Sequence, residues 1–299
     1  MYPRAEYLTG RGTGLSRAEA ETVAIAEIAR IFGVSFSSTA RGRETFSTGN
    51  GNTTESRELS TETLTRTYTE LFSLKYAVPW RNPQTKQWEA LAYINRQEAW
   101  ETYEPEAQKQ AGAFTALFEA AENESDPLKR FFAYRAAEQY TASSAYITTL
   151  EFGQVLAPMQ MNSAFTEVRA GIVTIPQKMN EAKKAGNIFV VVDTDNEGAL
   201  NAALAKALGG EGFPVARTRA GAAAICAATV TEGLQKSDMG TFYFPKISIT
   251  LRSANGSDVF SCSIEAAKQG AVNPDIAKLR AYTALAAAIE KQLPVELNK

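Results

Sequence analysis

Tyr7-Leu-Thr-Gly-Arg-Gly-Thr-Gly14, followed by Ser16-Arg-Ala-Glu-Ala-Glu-Thr-Val-Ala-Ile-Ala-Glu-Ile-Ala-Arg-Ile-Phe32, decides how this chain begins to fold. Residues 5–12 read as a short strand that ends among Gly10, Gly12 and Gly14. Ser16 with Glu19 three residues on is a capping-box pattern, so a helix starts there. Ala18, Ile25, Ala29 and Phe32 recur on one side at helical spacing, and the other alanines let the helix lie close against a sheet. Gly33 is expected to stop it. Glycines between a strand and a helix also suggest a dinucleotide loop. That fingerprint needs a glycine three residues after the second one, where Leu15 stands, so the glycines read as a tight turn instead.

Beyond Gly33, residues 34–40 and 43–48 are rich in Ser, Thr and Phe and suit strands with a polar face. Gly49-Asn-Gly-Asn-Thr-Thr54 reads as a loop, and residues 56–78 as strand. Val78-Pro-Trp-Arg81 leads into a turn at Asn82-Pro83, and Trp88-Glu-Ala-Leu-Ala-Tyr-Ile94 returns as the second arm of a hairpin. Two helices follow. The first covers 97–122, with Ala107, Phe114, Leu117, Phe118 and Ala121 as core candidates. The second starts at Asp126-Pro127, a capping residue before a first-turn proline. It carries Leu128, Phe132, Ala136, Tyr140, Ile147 and Leu150 at near-helical spacing. The short link between them suggests an antiparallel helical hairpin. Residues 153–163 read as a linker.

The remainder has its own core. Ile188-Phe-Val-Val-Val192 is a buried strand, Asn196 to Leu208 a helix, and short strands are expected near 213–217 and 224–232. Ile247, Ile249 and Leu251 alternate with polar residues, as do Phe260, Cys262 and Ile264. Asn255-Gly256 between them favours a two-residue type I′ turn. That turn would pair Leu251 with Phe260, Ile249 with Cys262 and Ile247 with Ile264, placing all six on one face. Asn273-Pro274 then opens a helix with Ile276, Leu279, Tyr282, Ala286 and Ile289 towards that sheet.

The chain has 299 residues, a formal net charge of −2 and no histidine. Near-neutral charge provides no field for nucleic acid. Without histidine, a Ser–His–Asp triad, a Cys–His dyad and a His-type zinc site are excluded. No cofactor is expected. Asp193-Thr-Asp-Asn-Glu-Gly198 begins like a calcium loop, but its twelfth position, Leu204, supplies no carboxylate. The loop therefore reads either as a helix start, with Asp195 or Asn196 as its cap, or as a divalent-cation or small-ligand site using Asp193, Asp195 and Glu197. Cys226 and Cys262 would form a disulfide if strand 224–232 adjoins strand 258–266; otherwise they are buried thiols. Phe131, Phe132, Tyr134, Tyr140 and Tyr146 read as hairpin core or as an exposed patch for a protein partner.

The glycine-spaced strand, the helix from Ala18 to Ala24 and the strand Ala90-Leu-Ala-Tyr-Ile-Asn-Arg96 after Trp80 together resemble the LPP20 family of bacterial envelope lipoproteins. The resemblance covers roughly residues 1–100, and a related architecture occurs in the N-terminal part of flagellar assembly proteins. It implies an exported periplasmic or outer-membrane protein, fixed to the membrane only through a lipid anchor, without catalysis and with an envelope protein as partner. This chain holds neither the signal segment nor the lipidated cysteine, and the expectation is that both have been cut away ahead of Met1. The fold expected is α+β: two small α/β sandwich-like modules with mainly antiparallel sheets, at 1–100 and 164–299, joined by a helical hairpin at 101–155.

Overall fold

The glycines of the opening strand set how closely the first helix approaches its sheet. A computed structural model of the chain describes residues 2–44, 73–194, 198–238 and 240–298. Strand β1 (Tyr7–Gly14) pairs antiparallel with β4 (Trp88–Asn95), which also pairs with β2 (Lys75–Tyr76) and β3 (Trp80–Arg81). Gly10 lies opposite Ala92 and Gly12 opposite Ala90, all on the buried face. Helix α1 (Arg17–Glu44) lies directly on that face. A Cβ on Gly12 would sit 1.9 Å from the Ala20 carbonyl oxygen, and one on Gly10 2.1 Å from that of Ala24. The glycines are thus strand residues serving a backbone-to-backbone contact, not the turn expected. The cap forms as read. Ser16 Oγ accepts from the Glu19 N–H at 3.2 Å, and the Glu19 carboxylate accepts from the Leu15 N–H at 2.8 Å.

Ala20, Ala24, Ile25, Ile28, Ala29 and Phe32 form the buried side of α1, while Ala18 is exposed. The helix runs through Gly33 to Glu44, so the strand expected at 34–40 is helical. A mid-helix glycine costs only about 1 kcal/mol, and adding a residue to an existing helix is far easier than nucleating one. The readings for 45–48, 49–54 and 56–72 fall outside the described residues.

The chain divides into two compact units: residues 1–115 with 139–170, and residues 116–138 with 171–299. Their boundaries run through helices. Helix α2 (Arg96–Asn123), which begins in the first unit and ends in the second, starts at once from β4, with Asn95 as its cap. Helix α3 (Pro127–Thr141) ends before Ser143, which caps a separate helix α4 (Ser144–Leu156). The second arm of the expected hairpin is therefore two helices. Its buried face is Leu128, Phe131, Tyr134 and Ala137 rather than Leu128, Phe132, Ala136 and Tyr140. Phe131 and Phe132 stand at i+3 and i+4 from Leu128, and the pattern alone does not choose between them. The expected linker is helical too. Pro158 opens α5 (Pro158–Ala164), and Gly153 lets Met161 pack against α4.

In the second unit, α6 (Thr166–Ala185), most of which lies there, precedes β5 (Ile188–Asp193). Helix α7 (Ala199–Gly210) then leads to β6 (Ala224–Ser237), which runs parallel to β5. Around 213–217 there is only a single bridge, between Ile188 and Val215. β6, β7 (Gly240–Ser253) and β8 (Asp258–Glu265) form an antiparallel meander, and β9 (Gln269–Ala271) pairs with the start of β7. The β7–β8 register is the one expected: Leu251 faces Phe260, Ile249 faces Cys262 and Ile247 faces Ile264. The turn is not type I′. The Gly256 N–H donates to the Ser253 carbonyl, Gly256 at φ +85° is its only positive-φ residue, and the register slips by one between Leu251 and Arg252. This is a turn centred on Ala254-Asn255 with a glycine bulge. The bulge absorbs the extra loop residue, so the pairs beyond it stay as the pattern requires.

Helix α8 (Pro274–Leu297) closes the unit, and Asn273 caps it as read. It buries Ala277, Ala281, Leu285, Ile289, Leu293 and Leu297, while Ile276 and Leu279 are about half exposed. The helix meets its neighbours through alanines at its start, so the larger side chains there turn outward. The fold is mixed α+β with mostly antiparallel sheets, as expected.

The glycine contact makes a sharp prediction. Gly12→Ala forces a methyl into the α1 backbone and should lower stability by about 3 kcal/mol or more. Gly112→Ala on α2, where a Cβ meets nothing within 4 Å, should raise it by about 0.5–1 kcal/mol. Urea denaturation of both variants checks this.

Candidate functional site

The acidic loop is only partly visible. Asp193 ends β5, is exposed, and its Oδ2 accepts from Thr229 Oγ1 at 3.4 Å. Asp195, Asn196 and Glu197 lie outside the described residues. The residue at the cap position of α7 is Gly198, at φ +72° with no side-chain hydrogen bond. Among the described residues, no three His, Cys, Asp or Glu side chains gather as a metal would require.

Of the two readings of Cys226 and Cys262, a disulfide or two thiols, the structure shows thiols. The condition for the disulfide fails because β7 runs between their strands. Cys226 is opposite Leu251 and Cys262 opposite Ile249. Two strand spacings, roughly 9–10 Å, exceed the roughly 4.4–6.8 Å that a disulfide spans between Cα atoms. Burial pushes the Cys226 thiol up to about 12, with Cys262 adding a smaller push.

The aromatic helix does not present a patch. Phe131, Tyr134 and Tyr146 are 1% exposed, and Phe132 and Tyr140 are half-buried. Tyr134 donates a hydrogen bond to Glu122, whose carboxylate also meets Lys178 at 3.0 Å. Burial and then Glu122 raise the Tyr134 pKa, and the Tyr134 hydroxyl in turn holds Glu122 below the usual carboxylate range. A phenol so raised is a structural donor, not a base. Trp100 is core, whereas Trp80 is half exposed.

Two features went unread in the sequence. The first is the outer strand β8. Its free side has no strand partner among the described residues. Its charges, Asp258 and Glu265, sit at the two ends and are paired with Arg252 and Lys246. The second is a cleft of about 550 Å³ in the first unit, where β4 passes into α2. Arg96 is half-buried there. Its Nε donates to the Arg4 carbonyl at 3.2 Å and its Nη1 to the carbonyls of Val155 and Leu156. Those two carbonyls end α4, so the guanidinium caps a helix C-terminus, where the dipole favours a cation. Burial still lowers its pKa. The motif Ile94-Asn-Arg96 marks the strand-to-helix junction, but nothing near it in sequence announces the partner carbonyls some 60 residues on.

No family model matches the chain and no curated protein matches it. The LPP20 resemblance therefore rests on the residues quoted above. Among solved structures, the chain is similar to a secreted protein of Helicobacter pylori, at 11% identity and a TM-score of 0.34, over 96% of this chain and 97% of that one. It is also similar to PelC of Paraburkholderia phytofirmans, crystallised as a dodecamer, at 15% identity and a TM-score of 0.27, over 38% and 90%. A minor lipoprotein of Acinetobacter baumannii aligns at 10% identity and a TM-score of 0.26, over 38% and 87%. Likenesses this distant do not bear on function, and nothing below rests on them. Among the described residues, no helix is long and apolar enough to cross a membrane.

The raised thiol has a measurable consequence. Folded Cys226 stays neutral up to about pH 12, whereas the unfolded thiol ionises near its ordinary 9.0. Below that value the group has no effect. Above it, unfolding releases a proton and stability falls, by about 1.4 kcal/mol per pH unit. Urea denaturation across this range should show the wild type losing that much more per unit than Cys226→Ala.

Proposed function

We propose that this protein is a non-enzymatic structural or protein-interaction component of a bacterial cell envelope, exported to the periplasm or outer membrane. It meets a protein partner through the open edge of β8. The observation that carries the reading is the composition of that edge. Val259-Phe-Ser-Cys-Ser-Ile264 holds six residues in extended conformation without a charge or a proline. Outer strands are ordinarily blunted by central lysines, prolines or bulges, because unpaired N–H and C=O groups recruit another strand. Here the one register slip lies at the turn end, and Ser261 and Ser263 are exposed along the middle. An extended segment of a partner can add to such an edge through main-chain hydrogen bonds. The envelope assignment draws on the LPP20-like residues of the first hundred. The helical hairpin contributes less because its aromatic rings are largely buried.

Site-specific photocrosslinking in intact envelopes tests this. A crosslinker at Ser263 should yield one defined adduct, a crosslinker at Gly112 on α2 should not, and Ser261→Lys should abolish the Ser263 adduct while leaving the melting temperature within a few degrees. A Ser263 adduct that survives Ser261→Lys, or no adduct at all, would remove the edge reading.

A further inference from the structure

The Arg96 cleft has chemistry that capping a helix does not use up. A guanidinium carries five N–H donors. In Arg96, Nε and Nη1 engage the carbonyls of Arg4, Val155 and Leu156. Neither N–H of Nη2 has an acceptor among the described residues, and Nη2 is not one of the buried unpartnered atoms. It therefore keeps some solvent exposure, and Arg96 is one of the residues that line the cleft. Among the described residues, no carboxylate lies within salt-bridge distance of Arg96 or of Arg4, which lines the same cleft. The helix end compensates only about half a charge. One carboxylate, the exposed Glu6, also lines the cleft, so the side chains of its walls carry a formal charge of one positive, which the helix end lowers in part.

The α2 terminus is not the attraction. Its first donors are already taken: the Arg96 N–H by the Glu6 carbonyl, and the Gln97 and Glu98 N–H groups by Asn95 Oδ1. The apolar side of the cleft is distinct. Leu156 and Ala157 are buried in its wall, and Pro158 with Met159, the latter 81% exposed, stand at its rim. A volume of about 550 Å³ lies within the range of small-molecule sites.

We propose that this cleft binds a small organic monoanion, a carboxylate or phosphodiester head on a short apolar body. Arg96 Nη2 and the Arg4 guanidinium hold the head, and Pro158 and Met159 at the rim cover the body. The guanidinium's planar donors suit an oxyanion, and the single net charge favours a monoanion over a dianion. The proposal is independent of the β8 edge.

Calorimetric titration of the full chain with hexanoate, dibutyl phosphate, acetate and hexanol tests it. At least one of hexanoate and dibutyl phosphate should bind at millimolar concentration or better, and which of them does assigns the head group. Acetate should bind at least about 10-fold more weakly than the anion that binds, for want of an apolar body. Hexanol should bind at least about 10-fold more weakly, for want of a charge. Arg4→Gln should weaken binding about 10-fold. Because Arg96 variants would also uncap α4, Met159→Asp at the exposed rim is the second variant and should abolish binding without altering thermal stability. Hexanol binding as tightly as the anion that binds, unchanged affinity in Arg4→Gln, or no heat with either anion overturns the proposal.

Discussion

The contact between the backbone of β1 and the backbone of α1 is the constraint on which the first unit depends. Gly10 and Gly12 have no side chains, and Ala20 and Ala24 have almost none, so strand and helix approach until carbonyl oxygens fill the space of missing methyl groups. The larger residues then take positions further along α1, where Ile25, Ile28 and Phe32 reach the core. The same approach leaves little tolerance in the sheet. Ala90 and Ala92 face the glycines across β4, and Ile94 fills the space beside Leu8 where the helix stands off. An alternating pattern of small residues on two paired strands is thus matched to a pattern of alanines on a helix.

This contact was half legible. A strand, three glycines, a capped alanine-rich helix and the idea of close approach could be read from the residues, because each rests on local chemistry. The glycines, placed between a strand and a helix, read as a tight turn, and only the register with β4 shows that they occupy alternate positions of a strand. The β7–β8 hairpin makes the same point from the other direction. The residue pairs were readable because a period of two leaves no other way to bury Ile247, Ile249 and Leu251 together. The turn differs from the type I′ turn expected, yet the pairs are those expected, because the glycine bulge restores the register that the core requires. Burial of three apolar pairs outweighs the preference of one dipeptide.

Helix faces were less legible where the sequence is degenerate. In α3 the consecutive Phe131 and Phe132 let two stripes fit equally, and the observed stripe also buries Tyr134 and Arg135. In α8 the reading favoured Ile276 and Leu279 over Ala277 and Ala281, by size. The helix instead presents its alanines early and its leucines and isoleucine late, at Leu285, Ile289 and Leu293. A hydrophobicity scale weights a side chain by its area. Packing weights it by the gap available, and a narrow gap selects alanine. The exposed face that results is a consequence of that gap and carries no functional meaning by itself.

The candidate sites were illegible for a related reason: both are made by what adjoins a residue rather than by the residue. β8 reads in sequence as a core strand, and half of it is. Its other property, an uncharged edge, appears only once β7 is known to pair on one side alone. Arg96 reads as a polar residue at a helix start, where a cation is slightly unfavourable. Its position makes sense only when the end of α4 is brought to it, so that a cation poorly placed for its own helix is well placed for another. That choice fixes the guanidinium from one side. Nε and Nη1 are held by three carbonyls, the plane is oriented, and Nη2 is left without an acceptor among the described residues. An arginine held by the backbone in this way loses little further entropy on meeting an anion. The ordering cost that weakens most exposed arginine contacts is already met by the fold.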